Sequence, residues 1–561
     1  MDSRRKLTQF SILTICLVAL LIEGVPAKNG IKITANTGVA AANGLYYYLK
    51  NIANCSTSWS GDQLHTLPLD SLPMPAKAIE VVIQDKFRYY QNVCTVSYSM
   101  VWWSWARWER ELDWMALRGI NLPLAFNGQE SVFRQVFINH FNMTKAQADN
   151  YFSGPAFLAW NRMGNMQTWS GPLSEHWHEQ QEKLQKQILA RMRDFGMYPV
   201  VPGFAGHVPR DLVINLPKAK IDRLPDWGSF GTNYSHTYFL QPEDPNFSKI
   251  NELFIQEYIK LFGTDHFYNI DLFNEETPSH SDPQYLHSAG KGVYDSIVKA
   301  DPNGIWVMQG WLFVNQPGFW KQPQVKAMVQ SVPIGKLLIL DLFSDVKPIY
   351  SHFEGYYGQP FIFCMLHNFG GTLGMYGSIN RINAELYTDR KKYSNLLGIG
   401  LTPEGIEQNP VAYEYMMDTT WHSSTPDMAK WFTNYSVRRY GLYDARLDKA
   451  WQLLRVSVYT DPIGVHNHGQ YAINKRPKIS YHSPLWYQPA NLTDALKLMA
   501  GYLEANPAIV NKSETFVYDM VDVSRQALQL IFDYYREHQM YPQYVKHEVA
   551  HLKTTSNQML H

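Results

Sequence analysis

Residues 268–277, YNIDLFNEET, decide the architecture that the sequence predicts. Together with Phe267 they form an apolar and aromatic run typical of a buried strand, and the run ends abruptly in Asn274, Glu275 and Glu276. A carboxyl group at the mouth of a buried strand is partly desolvated, which raises its pKa and lets it hold a proton near neutrality. An ordinary solvated acidic turn after a strand has the same pattern, so this stretch alone leaves both interpretations open.

A second carboxyl group occupies a similar setting far along the chain. Glu404 lies in residues 398–409, GIGLTPEGIEQN, just after a short apolar run bracketed by glycines. Two strand-end carboxyl groups are the minimum requirement of a glycosidase, which needs one to donate a proton and one to attack or to activate water. The pair therefore favours glycoside hydrolysis over an acidic turn.

The stretch around Glu275 is one of a series of apolar runs that alternate with amphipathic helical segments. Alternating strands and helices predict parallel pairing with right-handed crossovers, and eight such units favour a closed (β/α)8 barrel of the TIM type. A doubly wound open sheet remains the alternative. The eight runs are 90–96, 120–126, 198–204, 267–273, 305–309, 337–343, 361–366 and 398–402.

The pattern divides the chain into domains. Residues 28–84 have one helical segment and one strand-like run and predict a small α/β domain, residues 85–425 form the barrel, and residues 426–561 contain only helical periodicity. Aromatic segments between the second and third runs and after the third, around Trp169 and Trp227, would either form walls that stack a sugar ring or pack as lids without ligand contact.

The N-terminus resembles a secretory leader. Basic residues 4–6 precede an apolar run at 10–22, and Val25, Pro26 and Ala27 offer a cleavage point, so residues 1–27 are predicted to be a signal peptide. The run is shorter than the roughly 20 residues of a membrane span, which argues against a stable membrane anchor, although an uncleaved signal anchor remains the alternative. Secretion agrees with glycosylation motifs at Asn54, Asn142, Asn233, Asn246, Asn434, Asn491 and Asn511.

Composition excludes several classes of protein. The 561 residues carry 50 basic and 50 acidic side chains, so no nucleic-acid surface is predicted. After leader removal only Cys55, Cys94 and Cys364 remain, so at least one thiol is free or pairs outside the chain. The sequence has no P-loop, dinucleotide fingerprint or nucleophile elbow, and the HNH at 466–468 has no companion cluster, so we expect no cofactor and no metal.

Several long motifs of the sequence carry a family resemblance. They are residues 101–130 (VWWSWARWERELDWMALRGINLPLAFNGQE), 154–173 (GPAFLAWNRMGNMQTWSGPL), 196–209 (GMYPVVPGFAGHVP), 268–278 (YNIDLFNEETP), 306–313 (WVMQGWLF), 364–371 (CMLHNFGG) and 401–413 (LTPEGIEQNPVAY). These motifs resemble the family of lysosomal alpha-N-acetylglucosaminidase, retaining exo-glycosidases that remove terminal α-linked N-acetylglucosamine from heparan sulfate. The resemblance runs from about residue 31 to near the end of the chain.

The resemblance implies a small N-terminal α/β domain, a central (β/α)8 barrel, an all-α C-terminal domain and a lysosomal or secreted enzyme. It also implies that Glu275 is the acid/base and Glu404 the nucleophile. Glycosidases with such an Asn-Glu acid after strand four commonly carry the nucleophile after strand seven, so the count of eight runs before Glu404 leaves open whether one run is spurious. The substrate-binding residues implied by the matching motifs are Asn92, Cys94, Trp160, Trp227, Asn274, Trp311, His367 and Phe369.

Two departures from the family pattern affect what is expected. Cysteine pairs of the family are absent at residues 234–238 and 461–468, and the family's helical domain continues beyond the position that matches His561. We therefore expect a chain that is truncated relative to the family. A secreted sugar-binding or regulatory form without turnover is the alternative to an active enzyme, and the sequence leaves open whether the chain forms a homo-oligomer.

Overall fold

A computed structural model describes residues 18–25, 30–462 and 485–535. Its first unit is a three-stranded antiparallel sheet covered by one helix, with a short hairpin beside it. The helix begins where the Thr37 side chain accepts the N–H of Ala40. The elements of this unit are β1 (Val18–Val25), β2 (Gly30–Ala35), α1 (Gly38–Asn51), β3 (Ser56–Ser58), β4 (Gly61–Gln63) and β5 (Ile79–Ile83).

The central strand of this sheet falls inside the predicted leader. β1 pairs antiparallel with β2 on one side and with β5 on the other, and it buries Leu20 and Ile22. Cleavage after Ala27 would remove that strand and leave β2 and β5 without the neighbour that joins them. The small domain of the structure therefore extends N-terminal to residue 28, and the leader with its cleavage point stays a prediction that this sheet does not support.

The second unit is the predicted barrel. Its elements in chain order are β6 (Phe87–Tyr90), α2 (Trp105–Leu117), β7 (Leu122–Pro123), α3 (Gln129–Phe141), α4 (Lys145–Asp149), α5 (Leu158–Arg162), α6 (Glu175–Asp194), β8 (Val200–Pro202), β9 (His207–Val208), α7 (Leu212–Asn215), β10 (Ile221–Arg223), α8 (Thr232–Ser235), β11 (Tyr238–Leu240), α9 (Pro245–Phe262), β12 (Phe267–Asn269), α10 (Pro283–Ala300), β13 (Ile305–Gln309), α11 (Trp311–Asn315), α12 (Gln322–Val329), β14 (Leu337–Asp341), β15 (Phe361–Met365), α13 (Ile379–Lys392), β16 (Leu396–Leu401) and α14 (Pro410–Asp418).

Eight parallel strands form the barrel wall in the order β7, β6, β16, β15, β14, β13, β12, β8. The wall closes between its two end strands, where Leu124 bridges Val200 in parallel and the N–H of Ala125 donates to the carbonyl of Val200 over 2.8 Å. Strands β13, β14 and β15 are buried along their whole length because helices cover them outside and side chains fill the barrel inside. Each of the eight predicted runs contributes one strand, so Glu404 follows the eighth.

The third unit consists of helices in the described residues, as predicted. They are α15 (Met428–Tyr440), α16 (Ala445–Arg455), α17 (Pro489–Ala505) and α18 (Glu514–Tyr535). The Asp427 side chain caps α15 by accepting the N–H groups of Ala429 and Lys430. The HNH segment at 466–468 lies outside the described residues. Among the described helices, none combines the length and the apolarity that a membrane crossing requires.

Candidate active site

The carboxyl ends of several barrel strands surround one cavity of about 360 Å³. Glu275 and Glu404 both line it, although they are far apart in sequence. Seven of the eight predicted binding residues line it as well, namely Asn92, Cys94, Trp160, Trp227, Asn274, Trp311 and Phe369. The carboxyl ends of parallel strands meet on one face of a barrel, which is why these residues, which follow seven different strands, converge here.

Three N–H donors hold the carboxyl group of Glu275. The indole of Trp227 donates to Oε2 over 2.6 Å, the amide of Asn165 to the same oxygen over 3.2 Å, and the indole of Trp311 to Oε1 over 3.0 Å. Bonds to both oxygens fix the rotation of the carboxyl group and so aim it into the cavity. Asn165 is buried without lining the cavity. It was not predicted, because membership of the motif at residues 154–173 does not show which side chain reaches Glu275.

Glu404 is positioned through the backbone of its segment. The Asn92 amide donates to the carbonyl of Thr402 over 3.2 Å, and the Thr95 hydroxyl donates to the carbonyl of Pro403 over 2.7 Å. The N–H of Glu404 itself donates to the carbonyl of Asn368 over 2.9 Å. Residues that follow β6 and β15 therefore hold the segment that follows β16, as expected for neighbouring strands of one wall.

The two carboxyl groups influence each other electrostatically. Burial raises the pKa of Glu404 to about 8, and the negative charge of Glu275 adds to the increase. A neighbouring carboxylate disfavours ionisation of a second carboxyl group, so the charge of Glu275 and burial together favour the protonated form of Glu404. One proton on two carboxyl groups is the ionisation state that a retaining glycosidase requires.

A buried acid and imidazole lie behind Glu275. Glu276 Oε1 approaches Nε2 of His207 to 3.9 Å, and neither residue lines the cavity. Burial raises the pKa of Glu276 to about 8 and lowers that of His207 to about 4. At neutral pH both side chains are therefore largely uncharged. Of the two glutamates in the Asn-Glu-Glu segment, Glu275 is the one that lines the cavity.

Aromatic and apolar side chains make up most of the cavity wall. Trp160 comes from the insertion between the second and third strands, and Trp227 with Phe230 from the insertion after the third. Trp169 packs edge-on against Phe230 with ring centroids 4.7 Å apart and supports this wall without lining it. The lining residues that sequence analysis did not single out are mostly apolar, and they are Val93, Tyr98, Phe157, Met163, Met166, Phe230, Gln309, Leu342 and Leu366. Five of them lie inside the quoted motifs, where motif membership alone does not show which side chains face the cavity.

His367 is the one predicted binding residue that does not line the cavity. It is 2% exposed, its ring lies 5.3 Å from that of Tyr376 and 5.2 Å from that of Tyr413, and its N–H donates to Asp345. Burial lowers its pKa to about 3. The structure thus places His367 in the core, where its backbone has φ +58°. Its role in substrate binding gains no support from this placement and stays a prediction.

The three cysteines of the described residues, Cys55, Cys94 and Cys364, are free and buried. Only Cys94 lines the cavity, where burial and the charges of Glu404 and Glu275 raise the pKa of its thiol well above the usual value. Its neutral thiol is a poor nucleophile, so it contributes shape and not reactivity to the site.

A TIM-type barrel whose strand ends bring two carboxyl groups to one aromatic cavity defines the class of the glycoside hydrolases. Comparison with known proteins specifies the family. The tim-barrel domain model of alpha-N-acetylglucosaminidase (NAGLU) matches residues 88–423, its C-terminal domain model matches 431–561 and its N-terminal domain model matches 21–74. The chain belongs to the alpha-N-acetylglucosaminidase (NAGLU) family.

Individual relatives agree with this assignment. The chain is 44% identical to human alpha-N-acetylglucosaminidase over 515 residues, which are 90% of this chain and 68% of the human protein. A family 89 glycoside hydrolase from Clostridium perfringens, solved with 2-acetamido-1,2-dideoxynojirmycin, is 28% identical and superposes with a TM-score of 0.85 over 93% of this chain. A substituted form of that enzyme, solved with its substrate GlcNAc-alpha-1,4-galactose, also superposes with a TM-score of 0.85. The chain spans 58% of the length of these bacterial structures.

Proposed function

We propose that this protein hydrolyses terminal, non-reducing α-linked N-acetylglucosamine with retention of configuration, and that its natural substrate is heparan sulfate. The observation that carries the proposal is the convergence of Glu275 and Glu404 on one cavity walled by aromatic rings. The volume of about 360 Å³ is at the small end for ligand sites and suits one sugar residue, as an exo-acting enzyme requires.

The proposed mechanism has two steps. Glu404, ionised, attacks the anomeric carbon while Glu275 donates its proton to the departing glycosidic oxygen, which leaves a glycosyl group bonded to Glu404. Glu275, now ionised, takes a proton from water as the water attacks the same carbon and releases the sugar. Glu404 must be ionised when attack begins although its pKa is raised to about 8, so substrate binding has to favour the ionised form of Glu404.

Two uncharged side chains of the cavity have polar atoms without a partner among the described residues. They are Oδ1 of Asn274 and Nε2 of Gln309, both buried on residues that line the cavity. Buried polar atoms normally have partners, so these two support a polar ligand. Asn274 Oδ1 can accept the N–H of the 2-acetamido group, and Gln309 can donate to a hydroxyl of the sugar.

The proposed location is the lysosome or the secreted space, with N-linked glycans, and it rests on membership of the family and on the glycosylation motifs while the leader stays a prediction. Five of the seven motif asparagines are exposed, at 54, 142, 233, 434 and 511. Asn246 is half-buried in the first turn of α9 and donates to Asp244 over 2.9 Å, so it is the poorest acceptor of the seven.

An assay with a chromogenic aryl α-N-acetylglucosaminide tests the proposal. We expect turnover by the wild-type chain and its loss in Glu275→Gln and Glu404→Gln, which keep the side-chain shape and remove the ionisable groups. Proton NMR of the sugar released at early times should show the α-anomer. Binding without turnover would point to the sugar-binding form, and cleavage of β-linked substrates to a different glycosidase.

A further inference from the structure

Two loops after neighbouring barrel strands carry Glu404 and Phe369. They are residues 402–409 after β16 and residues 366–376 after β15, and they are bonded to each other. The N–H of Glu404 donates to the carbonyl of Asn368 over 2.9 Å. The Asn409 side chain donates to the carbonyl of Gly374 over 3.0 Å and accepts the N–H of Tyr376 over 3.2 Å.

One face of α18, in the helical domain, contacts both loops. The Tyr518 hydroxyl donates to the carbonyl of Glu407 over 3.2 Å, and the Arg525 guanidinium donates to the carbonyl of Leu373. Gln526 accepts the N–H of Met375 through Oε1 over 3.0 Å. Positions seven and eight residues apart lie about two helical turns apart on the same face, so a single rigid helix reaches both loops at once.

Gln526 is the most constrained of these three residues. It is 0% exposed, and its Nε2 donates to the hydroxyl of Tyr487 over 3.0 Å. Both ends of the amide are thus used, which fixes the direction in which Oε1 points. A buried N–H such as that of Met375 is costly to leave unpaired, so the bond strongly favours the observed loop conformation.

The backbone of these loops needs external contacts to keep its shape. Glu407 has φ +72°, Asn409 φ +46° and His367 φ +58°. Side chains other than glycine adopt this left-handed region only where surrounding contacts maintain it. The bond from Tyr518 falls on Glu407 itself, two residues before Asn409, and the bonds from Arg525 and Gln526 fall on residues 373 and 375 of the other loop.

We infer that Tyr518, Arg525 and Gln526, which we call the α18 clamp, are positioning residues that hold the nucleophile Glu404 through its loop. The barrel alone would then not hold the Glu404 carboxyl group in the position from which it attacks the sugar. The helical domain completes the site in this way, although none of its described residues lines the cavity. A small misplacement of a reacting group lowers the rate much more than it lowers binding. For catalysis this inference rests on the proposed function.

Gln526→Leu tests the inference, with Thr515→Val as the matched control. Thr515 lies on the same helix and is equally buried, but its hydroxyl donates to the carbonyl of Arg439 inside the helical domain over 2.6 Å. In Gln526→Leu we expect amide hydrogen exchange of residues 373–376 and 404–407 to rise roughly tenfold, since local opening becomes easier. We expect kcat to fall about 10- to 100-fold with KM changed little, and Thr515→Val to leave both quantities unchanged.

The two readouts separate the failure of this inference from the failure of the proposed function. A wild-type chain without turnover refutes the function, while hydrogen exchange still tests the clamp. Unchanged exchange in Gln526→Leu, or the same increase in Thr515→Val, overturns the clamp. Should Gln526→Leu not fold, Tyr518→Phe removes a single half-buried hydroxyl, and faster exchange at residues 404–407 is again the expected result.

Discussion

Trp227→Phe tests how Glu275 acts as an acid, because it removes one N–H donor and keeps an aromatic ring in the wall. The indole donates to Glu275 over 2.6 Å. As Glu275 gives up its proton the carboxyl group becomes an anion, so this bond strengthens in the transition state. A hydrogen bond to a charged group contributes about 1.5–3 kcal/mol, which corresponds to a roughly 10- to 150-fold change in rate.

The lower end of that range is expected for Trp227→Phe. Trp311 and Asn165 continue to donate to Glu275, so the anion keeps two of its three partners. We therefore expect kcat to fall about tenfold. Because the phenyl ring preserves most of the apolar wall, KM should change little.

The choice of leaving group makes the assay specific for proton donation. A dinitrophenolate leaves without a proton, whereas a sugar alkoxide needs one. The loss in Trp227→Phe should therefore be large on an α-N-acetylglucosaminyl disaccharide and small on the dinitrophenyl glycoside. Trp169→Phe is the control, since this ring supports the wall through Phe230 and Tyr234 and has no bond to Glu275. Equal losses on both substrates, or equal losses in the two variants, would refute the reasoning.

Three further results are expected. Folding raises the pKa of Glu404 to about 8, so ionisation of this group opposes folding once the pH exceeds the pKa that Glu404 has in the unfolded chain. Glu404→Gln should therefore stabilise the fold by about 3 kcal/mol at pH 7 and not at pH 4. Denaturant unfolding of both proteins at the two pH values checks this. Burial raises the pKa of Glu276 to about 8, so in the wild type this side chain is neutral below pH 7 and becomes charged above pH 8. Glu276→Gln should therefore match wild-type kcat/KM below pH 7 and lose less activity than the wild type above pH 8. A difference between the two proteins at pH 5 would contradict this. The raised pKa of Cys94 predicts that iodoacetamide at pH 7.5 leaves activity intact, and rapid inactivation protected by a sugar ligand would show the opposite.

The sequence predicted the barrel better than it predicted the ends of its strands. The run at 305–309 matches β13 in full, whereas the run at 90–96 begins where β6 ends at Tyr90. The apolar residues of a run do not reveal where pairing with the neighbouring strands stops. Similarly, β12 ends at Asn269 because the chain leaves the wall there and turns through Phe273 at φ +61°.

The residues of the candidate site, like the strands, were predicted from the sequence only in part. Glu275 and Glu404 were singled out because each follows an apolar run, and Trp160 and Trp311 because they lie in long motifs. Trp227 was singled out because it lies in an aromatic insertion and the family resemblance implies it. Asn165, Gln309 and the α18 clamp were missed, since their roles depend on distances across the fold, which membership of a motif or a strand run does not reveal. His367 shows the reverse case, in which a motif position is directed away from the cavity by its backbone.

The order of residue types along the chain determined which side chains stand at the ends of the barrel strands, because strand and helix periodicity is a local property. It therefore sufficed to identify two carboxyl groups and the family. Only the tertiary structure decided the pKa of Glu404 and the direction in which Glu275 is aimed. The pKa of Glu404 depends on burial and on the charge of Glu275, and the orientation of Glu275 on an amide 110 positions earlier in the chain. Such effects act through space over a few ångströms, and no local pattern in the chain encodes them.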